Sequence, residues 1–270
     1  MAECLRPAAM SANDWQKFTK RYKPRCYDDA GEALLMIDQQ DHPDIMAVAA
    51  PHDTNADAPT SPLKVLYQQI LPPIHALYQS FVFEDITYDF ASCSLAEQAQ
   101  LPIIRQNLSK KYDYYKVTKT VAELEATADL ARSYNWQYFS IDLNCSQYIM
   151  MHQSADINIM GRIVKDKLVS FIDQARKKGQ VLVFSGLPHN DISPNDLVRL
   201  FSFGVEYSKQ KGLKYTAVDI WRRDLAHRFF LIHESPKLFL DYDTLIEAAI
   251  PEKGFMVINI FDRSWMIFYQ

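Results

Sequence analysis

Two short polar segments combine a histidine with a carboxylate. Pro188-His189-Asn190-Asp191 follows an apolar run, and Pro51-His52-Asp53 follows a similar run in the first half of the chain. Imidazole titrates near neutral pH, so His189 with Asp191 could transfer protons as a general acid and base. The alternative is a polar turn, because Pro, Asn and Asp favour turns and Asp191 can bind local backbone amides. We favour the turn and keep His189 and Asp191 as candidate catalytic residues.

Adjacent arginines form a second candidate site. Arg222 and Arg223 follow Trp221 and precede Asp224. Paired guanidinium groups can hold a phosphate or a carboxylate through two parallel hydrogen bonds. The alternative is a solvated connection between elements, which the sequence favours. Arg222 and Arg223 are therefore candidate binding residues for an anion or an acidic partner.

A third candidate is the segment Lys110–Lys116, in which lysines alternate with aromatic residues. Such a pattern is typical of single-strand nucleic-acid binders. However, the segment is short and contains Asp113, and the whole chain has a net charge of -4. Nucleic-acid binding is therefore disfavoured. Tyr114 and Tyr115 are better interpreted as candidate contacts to another protein, because tyrosine is enriched in binding hot spots.

Common catalytic and cofactor-binding motifs are absent from the sequence. The chain has only seven glycines and neither GxGxxG nor GxxxxGK[ST], which disfavours dinucleotide and phosphate-loop folds. Its four cysteines show no zinc-ligand spacing, so neither a metal nor another cofactor is expected. We interpret the cysteines as reduced thiols of a cytoplasmic protein. No apolar run is long enough to cross a bilayer.

An apparent internal repeat organises the elements around these residues. Trp136–Gln153 aligns with Lys253–Gln270 without a gap, and in both halves an apolar run precedes Pro-His and then Ser-Pro. A repeat of this length would define the fold. Hydrophobic periodicity in each half predicts the order α-β-α-β-β-α-β-β, with Phe83–Phe90 and Tyr215–Trp221 among the strands and Tyr242–Ala249 as a helix. The last two strands of each half are predicted to form a hairpin, Tyr138–Leu143 with Tyr148–His152 and Phe255–Phe261 with Trp265–Tyr269.

The predicted fold class is therefore α+β, with two similar lobes that each contain a mostly antiparallel sheet covered by helices. The first lobe spans 1–153 and the second spans 154–270, without a flexible linker between them. A fused pair of lobes would be a pseudo-dimer, which makes a monomer plausible.

In overall character the sequence resembles small bacterial immunity and antitoxin-like proteins, which are soluble, mildly acidic and without catalytic signatures. This resemblance assigns no residue. We therefore expect a cytoplasmic protein-binding module, with Arg222, Arg223, Tyr114 and Tyr115 at its surface. The alternative function is a hydrolase or transferase that acts on a small anionic substrate through His189 and Asp191, with Arg222 and Arg223 holding the anion.

Overall fold

One mixed sheet of eight strands forms the centre of the protein in the computed structural model, which describes residues 4–51, 60–104, 106, 118–153, 157–196, 198–225 and 242–270. The strand order is β1-β7-β8-β6-β2-β5-β3-β4. The strands are β1 (Arg25–Tyr27), β2 (Ile45–Ala50), β3 (Ser80–Asp89), β4 (Gln137–Asn144), β5 (Val181–Gly186), β6 (Tyr215–Arg222), β7 (Phe255–Phe261) and β8 (Ser264–Tyr269).

The helices connect these strands and cover both faces of the sheet. They are α1 (Ala12–Tyr22), α2 (Ala30–Asp41), α3 (Pro62–Val65), α4 (Leu71–Ile74), α5 (Leu95–Gln98), α6 (Thr118–Ser133), α7 (Cys145–Gln153), α8 (Ile157–Ala175), α9 (Leu187–Asn190), α10 (Gly204–Ser208) and α11 (Tyr242–Ala249). A π-helical stretch, Leu66–Ile70, joins α3 to α4 just before Pro72. Proline has no backbone N–H to donate, which explains the change of helical hydrogen bonding there.

The predicted α+β composition is confirmed, but the predicted mostly antiparallel pairing is wrong. Six neighbouring strands, from β8 to β4, run parallel among the described residues. Antiparallel pairing joins β7 to β8 and β1 to β7. Short apolar runs do not reveal whether their strands pair in parallel, because both kinds of strand can be apolar throughout when helices cover the sheet.

The predicted two-lobe repeat is not shown by the structure. Strand β2, from the first half, lies between β5 and β6 from the second half, so strands of the two halves interleave in one sheet. The boundary proposed between 153 and 154 falls at residues 154–156, which lie outside the described part of the chain.

The aligned segments of the supposed repeat also fold differently. Lys253–Gln270 contains the hairpin β7–β8, as predicted, whereas Trp136–Gln153 contains strand β4 followed by helix α7. The helix begins there because Asn144 Oδ1 accepts the Gln147 N–H at 2.9 Å while Gln147 Oε1 accepts the Asn144 N–H at 3.1 Å. This reciprocal cap favours a helix over the predicted second strand.

Alternate residues of the central strands face two helical layers. Met46 and Val48 pack with α2, α3, α4 and α6 on one side, here called the α2 face. Ile45 and Ala47 pack with α8 and α10 on the other side, here called the α8 face. On that same side, Ala49 packs with α1 and α11. All six residues of β2 are buried, so both layers are needed to cover the sheet.

The prediction of four reduced thiols is wrong, since the structure joins all four cysteines in two disulfides. Cys4 is bonded to Cys26, and Cys93 is bonded to Cys145. The pairs are 22 and 52 residues apart in sequence, so spacing alone did not reveal them. Disulfides are typical of proteins that fold in an oxidising compartment, and the cytoplasmic expectation loses the support that it drew from reduced thiols.

Replacing both Cys93 and Cys145 by serine should lower the free energy of unfolding by about 4 kcal/mol, because the bond closes a long loop in the unfolded chain. The matched Cys4→Ser/Cys26→Ser variant closes a shorter loop and should lose about 3 kcal/mol. Urea denaturation without reductant measures both losses. Wild-type stability in the Cys93→Ser/Cys145→Ser variant would show that this bond does not contribute.

Candidate functional site

Polar side chains gather at the carboxyl edge of the sheet (the last residues of β2, β5 and β6, with Glu84 of β3 beside the end of β5). Helix α6, in the connection from β3 to β4, packs on the α2 face, whereas α10, in the connection from β5 to β6, packs on the α8 face. Neighbouring strands whose connections leave toward opposite faces separate at their ends and leave a crevice between them. Ligands of open parallel sheets bind in such crevices.

The short helix α9, which follows β5, is held in place by hydrogen bonds that other residues donate to its backbone carbonyl groups and to the carbonyl of the next residue. His189 O accepts the Phe203 N–H at 2.8 Å, and Asn190 O accepts the Tyr215 hydroxyl at 2.6 Å. Asp191 O accepts the Ser202 hydroxyl. Residue 204 must be glycine for this packing, because a Cβ atom there would collide with Asn190 O. Three consecutive carbonyl groups are thus fixed before any ligand binds, which orients the side chains that they carry.

His189 is the predicted candidate that the structure places at this edge of the sheet. Its Nδ1 lies 2.8 Å from Phe201 O, and its Nε2 lies 3.7 Å from Glu84 Oε1. Glu84 is itself held, because its Oε2 accepts the Gly186 N–H at 2.6 Å. The two side chains are only 10% and 8% exposed. A separation of 3.7 Å is too long for a hydrogen bond but suits an ion pair once the imidazole is protonated.

Asn190 and Asp219 form a second polar contact on the α8 face. Asn190 Nδ2 donates to Asp219 Oδ1 at 3.0 Å and to Ala47 O at 3.2 Å. Asn190 is fully buried, and its Oδ1 has no hydrogen-bond partner among the described residues. The Ser185 hydroxyl, at the end of β5, is also buried and without a partner there. Buried polar groups are rarely left unpaired, so these two atoms need an explanation.

The side chain of Asp191 lies in a polar turn, which was the alternative to a catalytic role for this residue. Its Oδ1 accepts the Ser193 N–H at 2.8 Å, as expected for an aspartate that stabilises a local turn. The carboxylate recorded opposite His189 is Glu84 rather than Asp191. The structure thus adds Glu84 as a carboxylate beside His189, and the catalytic role of Asp191 stays a prediction.

The two arginines do not form a joint clamp in the structure. Arg222 is only 3% exposed, and its guanidinium binds both carboxylate oxygens of Asp224, at 2.6 and 2.9 Å. Arg223 instead donates to Gln270 Oε1 at 3.2 Å. Arg222 is thus engaged within the fold, and its guanidinium charge is balanced by a bidentate carboxylate.

Several sequence candidates lie outside the described residues. These are His52 and Asp53, together with Tyr114, Tyr115 and the surrounding segment Lys110–Lys116. The structure therefore leaves their proposed roles as predictions.

Neither a metal cluster nor a membrane span is found in the described ranges. No three His, Cys, Asp or Glu side chains there converge as metal ligands would. No helix in those ranges combines the length and the apolar character needed to cross a bilayer.

Similarity to known proteins gives no further guide to the site. No protein-family model, no curated protein and no solved structure matches this chain. The function must therefore be argued from the chemistry of the carboxyl edge.

Sequence reasoning missed Glu84 and Asp219, although each left a signal. Glu84 follows Ser80-Phe81-Val82-Phe83, and Asp219 lies within Ala217-Val218-Asp219-Ile220. A carboxylate inside a buried strand is costly unless it is bound, so its presence indicates a specific partner or function. We had interpreted these segments only as apolar strands.

Burial of Tyr215 predicts a pH-dependent stability. Burial raises the pKa of Tyr215 well above its ordinary value, and the charges of Asp219 and Asp191 raise this pKa further. The unfolded tyrosine ionises near its ordinary pKa of about 10 while the folded one stays protonated. The free energy of unfolding should therefore be fully maintained below pH 10 and fall above it.

Tyr215→Phe should make that alkaline fall shallower by up to about 1.4 kcal/mol per pH unit. The variant should also lose about 1–3 kcal/mol at neutral pH, because Asn190 O loses its buried donor. Urea unfolding between pH 8 and 11 measures both effects. Parallel curves for the two proteins above pH 10 would contradict the predicted role of this hydroxyl.

Proposed function

We propose that this protein is an enzyme of hydrolase or transferase type that binds a small polar molecule beside His189, where the end of β5 meets Glu84 of β3. The observation that carries the proposal is the geometry of His189, which is held at one ring nitrogen and faces Glu84 with the other. General acid–base catalysis needs an imidazole that is oriented by one partner and able to exchange a proton at its other nitrogen.

The backbone determines which nitrogen of His189 would exchange the proton. Phe201 O can only accept, so Nδ1 must carry the hydrogen in the neutral ring. The lone pair then lies on Nε2, on the side of Glu84. When Nε2 takes a proton from a substrate or water, the adjacent carboxylate stabilises the imidazolium that forms. Glu84 is thus a positioning residue, itself anchored by Gly186.

The arginines have no part in this proposal. We had expected Arg222 and Arg223 to hold an anionic substrate, but Arg222 is engaged by Asp224 and Arg223 by Gln270. An anion would have to displace the bidentate Asp224 carboxylate from the buried Arg222 guanidinium, which costs a charge-assisted pair.

His189→Gln should lower kcat/KM by a factor of about 10²–10⁴, the usual contribution of a proton-transfer residue. The assay is hydrolysis of a panel of chromogenic esters, phosphates and glycosides by the full chain, with Tm measured in parallel. Arg223→Gln is the control at the same edge and should keep full activity. Asp191→Asn should also stay active, because an amide oxygen can still accept the Ser193 N–H.

A measurement without substrate tests the same geometry. The ¹⁵N chemical shifts of the His189 ring should report a protonated Nδ1 and an unprotonated Nε2 in the neutral form. An unprotonated Nδ1, or unchanged turnover in His189→Gln, would contradict the proposal.

Binding of another protein, as by an immunity or antitoxin-like partner, is the second candidate function. One specific observation favours it: Leu95, Ile103 and Met150 are 86%, 62% and 49% exposed. They lie on α5, on the helical segment 101–104 and on α7, which surround the Cys93–Cys145 disulfide. Several exposed apolar side chains in one region are typical of interaction sites.

In affinity capture from the native lysate, the double variant Leu95→Lys/Ile103→Lys should lose any stoichiometric protein partner that the wild-type protein retains. The reason is that lysine at the centre of an apolar contact is costly to desolvate. Leu200→Lys, at another exposed leucine, is the control and should retain the partner. Equal capture by all three proteins would exclude this surface as the binding site.

A further inference from the structure

We infer that a row of lysines at the amino edge of the sheet (the first residues of β2, β5 and β6) binds the surface of an anionic lipid bilayer. The row, here called the lysine face, consists of Lys177, Lys178, Lys209, Lys211 and Lys214. Such binding is peripheral and needs no membrane-spanning helix. It is independent of the proposed function, because His189 and Glu84 lie at the opposite, carboxyl edge.

Two neighbouring turns carry the lysine face. Lys177 and Lys178 follow α8 and precede β5, whereas the other three lysines follow α10 and precede β6. Arg176 Nη1 donates to Gln210 Oε1 at 3.2 Å, which joins the two turns. A Cβ atom at Gly212 would meet nothing within 4 Å, so the second turn projects into open space. The turns therefore present their lysines side by side.

The strands behind these turns begin at the same level. Ile45 of β2 pairs with Val181 of β5 and with Tyr215 of β6. Asp44 fixes this alignment, because its N–H donates to Lys214 O at 2.8 Å and its C=O accepts the Val181 N–H at 3.0 Å. Strands that begin in register place the preceding turns along one line. The lysine face thus follows a straight edge of the sheet.

The charges of the lysine face are not balanced within the protein. All five lysines are exposed, and none forms an ion pair with another residue of the described ranges. The nearby carboxylates, in contrast, have partners. These contacts are Asp173 with Arg176, Glu206 with Lys165, Asp44 with the Lys214 N–H, and Asp41 with Thr216 and Trp265. The amino edge therefore carries an excess of positive charge, although the whole chain has a net charge of -4.

The acidic groups of the carboxyl edge lie too far away to oppose this binding. Strands β2 and β5 are six residues long, so about 20 Å separates the two edges. Salt screens exposed charges over about 8–10 Å. A bilayer at the amino edge is thus attracted by the lysines, while His189 and Glu84 lie on the side away from it.

The composition of the lysine face favours a lipid surface over other anionic partners. Protein interfaces are depleted in lysine and depend on Tyr, Trp and Arg anchors. Nucleic-acid-binding domains are usually basic overall, whereas this chain is acidic. The shallow cleft beside Lys209 also contains Asp173 and Glu206, so it does not suit a small anion. Clustered lysines are attracted to an anionic bilayer without a pocket, because each charge acts separately near the surface.

Co-sedimentation of the full chain with lipid vesicles tests the inference. Vesicles of equal parts phosphatidylcholine and phosphatidylglycerol should bind the wild-type protein, and vesicles of phosphatidylcholine alone should not. Binding to the mixed vesicles should weaken as sodium chloride is added, because salt screens exposed charges. A DNA duplex of random sequence and polyglutamate are the competing polyanions, and neither should bind more tightly than the mixed vesicles.

Two quadruple variants locate the binding. Lys177→Gln/Lys178→Gln/Lys211→Gln/Lys214→Gln should weaken binding to the mixed vesicles by about a hundredfold or more, since each lysine near an anionic bilayer contributes about fivefold. The control changes the net charge equally but alters lysines on α1, on α3 and before β7, and it should bind like wild type. This control is Lys17→Gln/Lys20→Gln/Lys64→Gln/Lys253→Gln. Unchanged Tm values verify that both variants are folded.

Several results would overturn the inference. These are no binding of wild type to the mixed vesicles, binding that added salt does not weaken, equal losses in the two quadruple variants, and tighter binding of the duplex or of polyglutamate. The proposed function is judged separately by His189→Gln. Failure of either proposal therefore leaves the other standing.

Discussion

The rest of the structure depends on the pairing of β2 on both of its edges. All six of its residues are buried, so its backbone N–H and C=O groups must find partners inside the protein. Strands β5 and β6 supply them, and both come from the far half of the chain. This single requirement joins the two halves in one sheet and brings the end of β5, with His189 and Asn190, beside the end of β6, with Asp219.

The carboxyl edge is rigid because its loops are held by parts of the structure that also form the core. Tyr215 packs in the core with Phe203 and Tyr207, and its hydroxyl holds Asn190 O. The same segment that contributes Phe203 supplies Phe201 O to His189. Burying these polar contacts costs desolvation that hydrogen bonds only partly offset. Among the described residues, two buried polar atoms at this edge, Asn190 Oδ1 and Ser185 Oγ, have no hydrogen-bond partner.

Sequence patterns were sufficient to predict secondary structure where interactions between residues close in sequence determine it. The helix over Tyr242–Ala249 and the β7–β8 hairpin were predicted from periodicity, and both are present. The polar-turn interpretation of Asp191 also agrees with its bond to Ser193. The error at α7 had a local cause, because Asn144 and Gln147 form a cap that an apparent repeat led us to overlook. The resemblance between these two apolar segments did not extend to their secondary structure.

The sequence by itself determined which residues are apolar, where many helices and strands lie, and that a histidine, His189, follows a buried apolar strand. Only the tertiary structure decided that β2 lies between β5 and β6, that the four cysteines pair, and that Glu84 rather than Asp191 faces His189. The physical reason is the distance along the chain between the residues that interact. Periodicity and capping act over a few residues, whereas Glu84 and His189, or Asn190 and Asp219, become neighbours only when strands distant in sequence share backbone hydrogen bonds in one sheet.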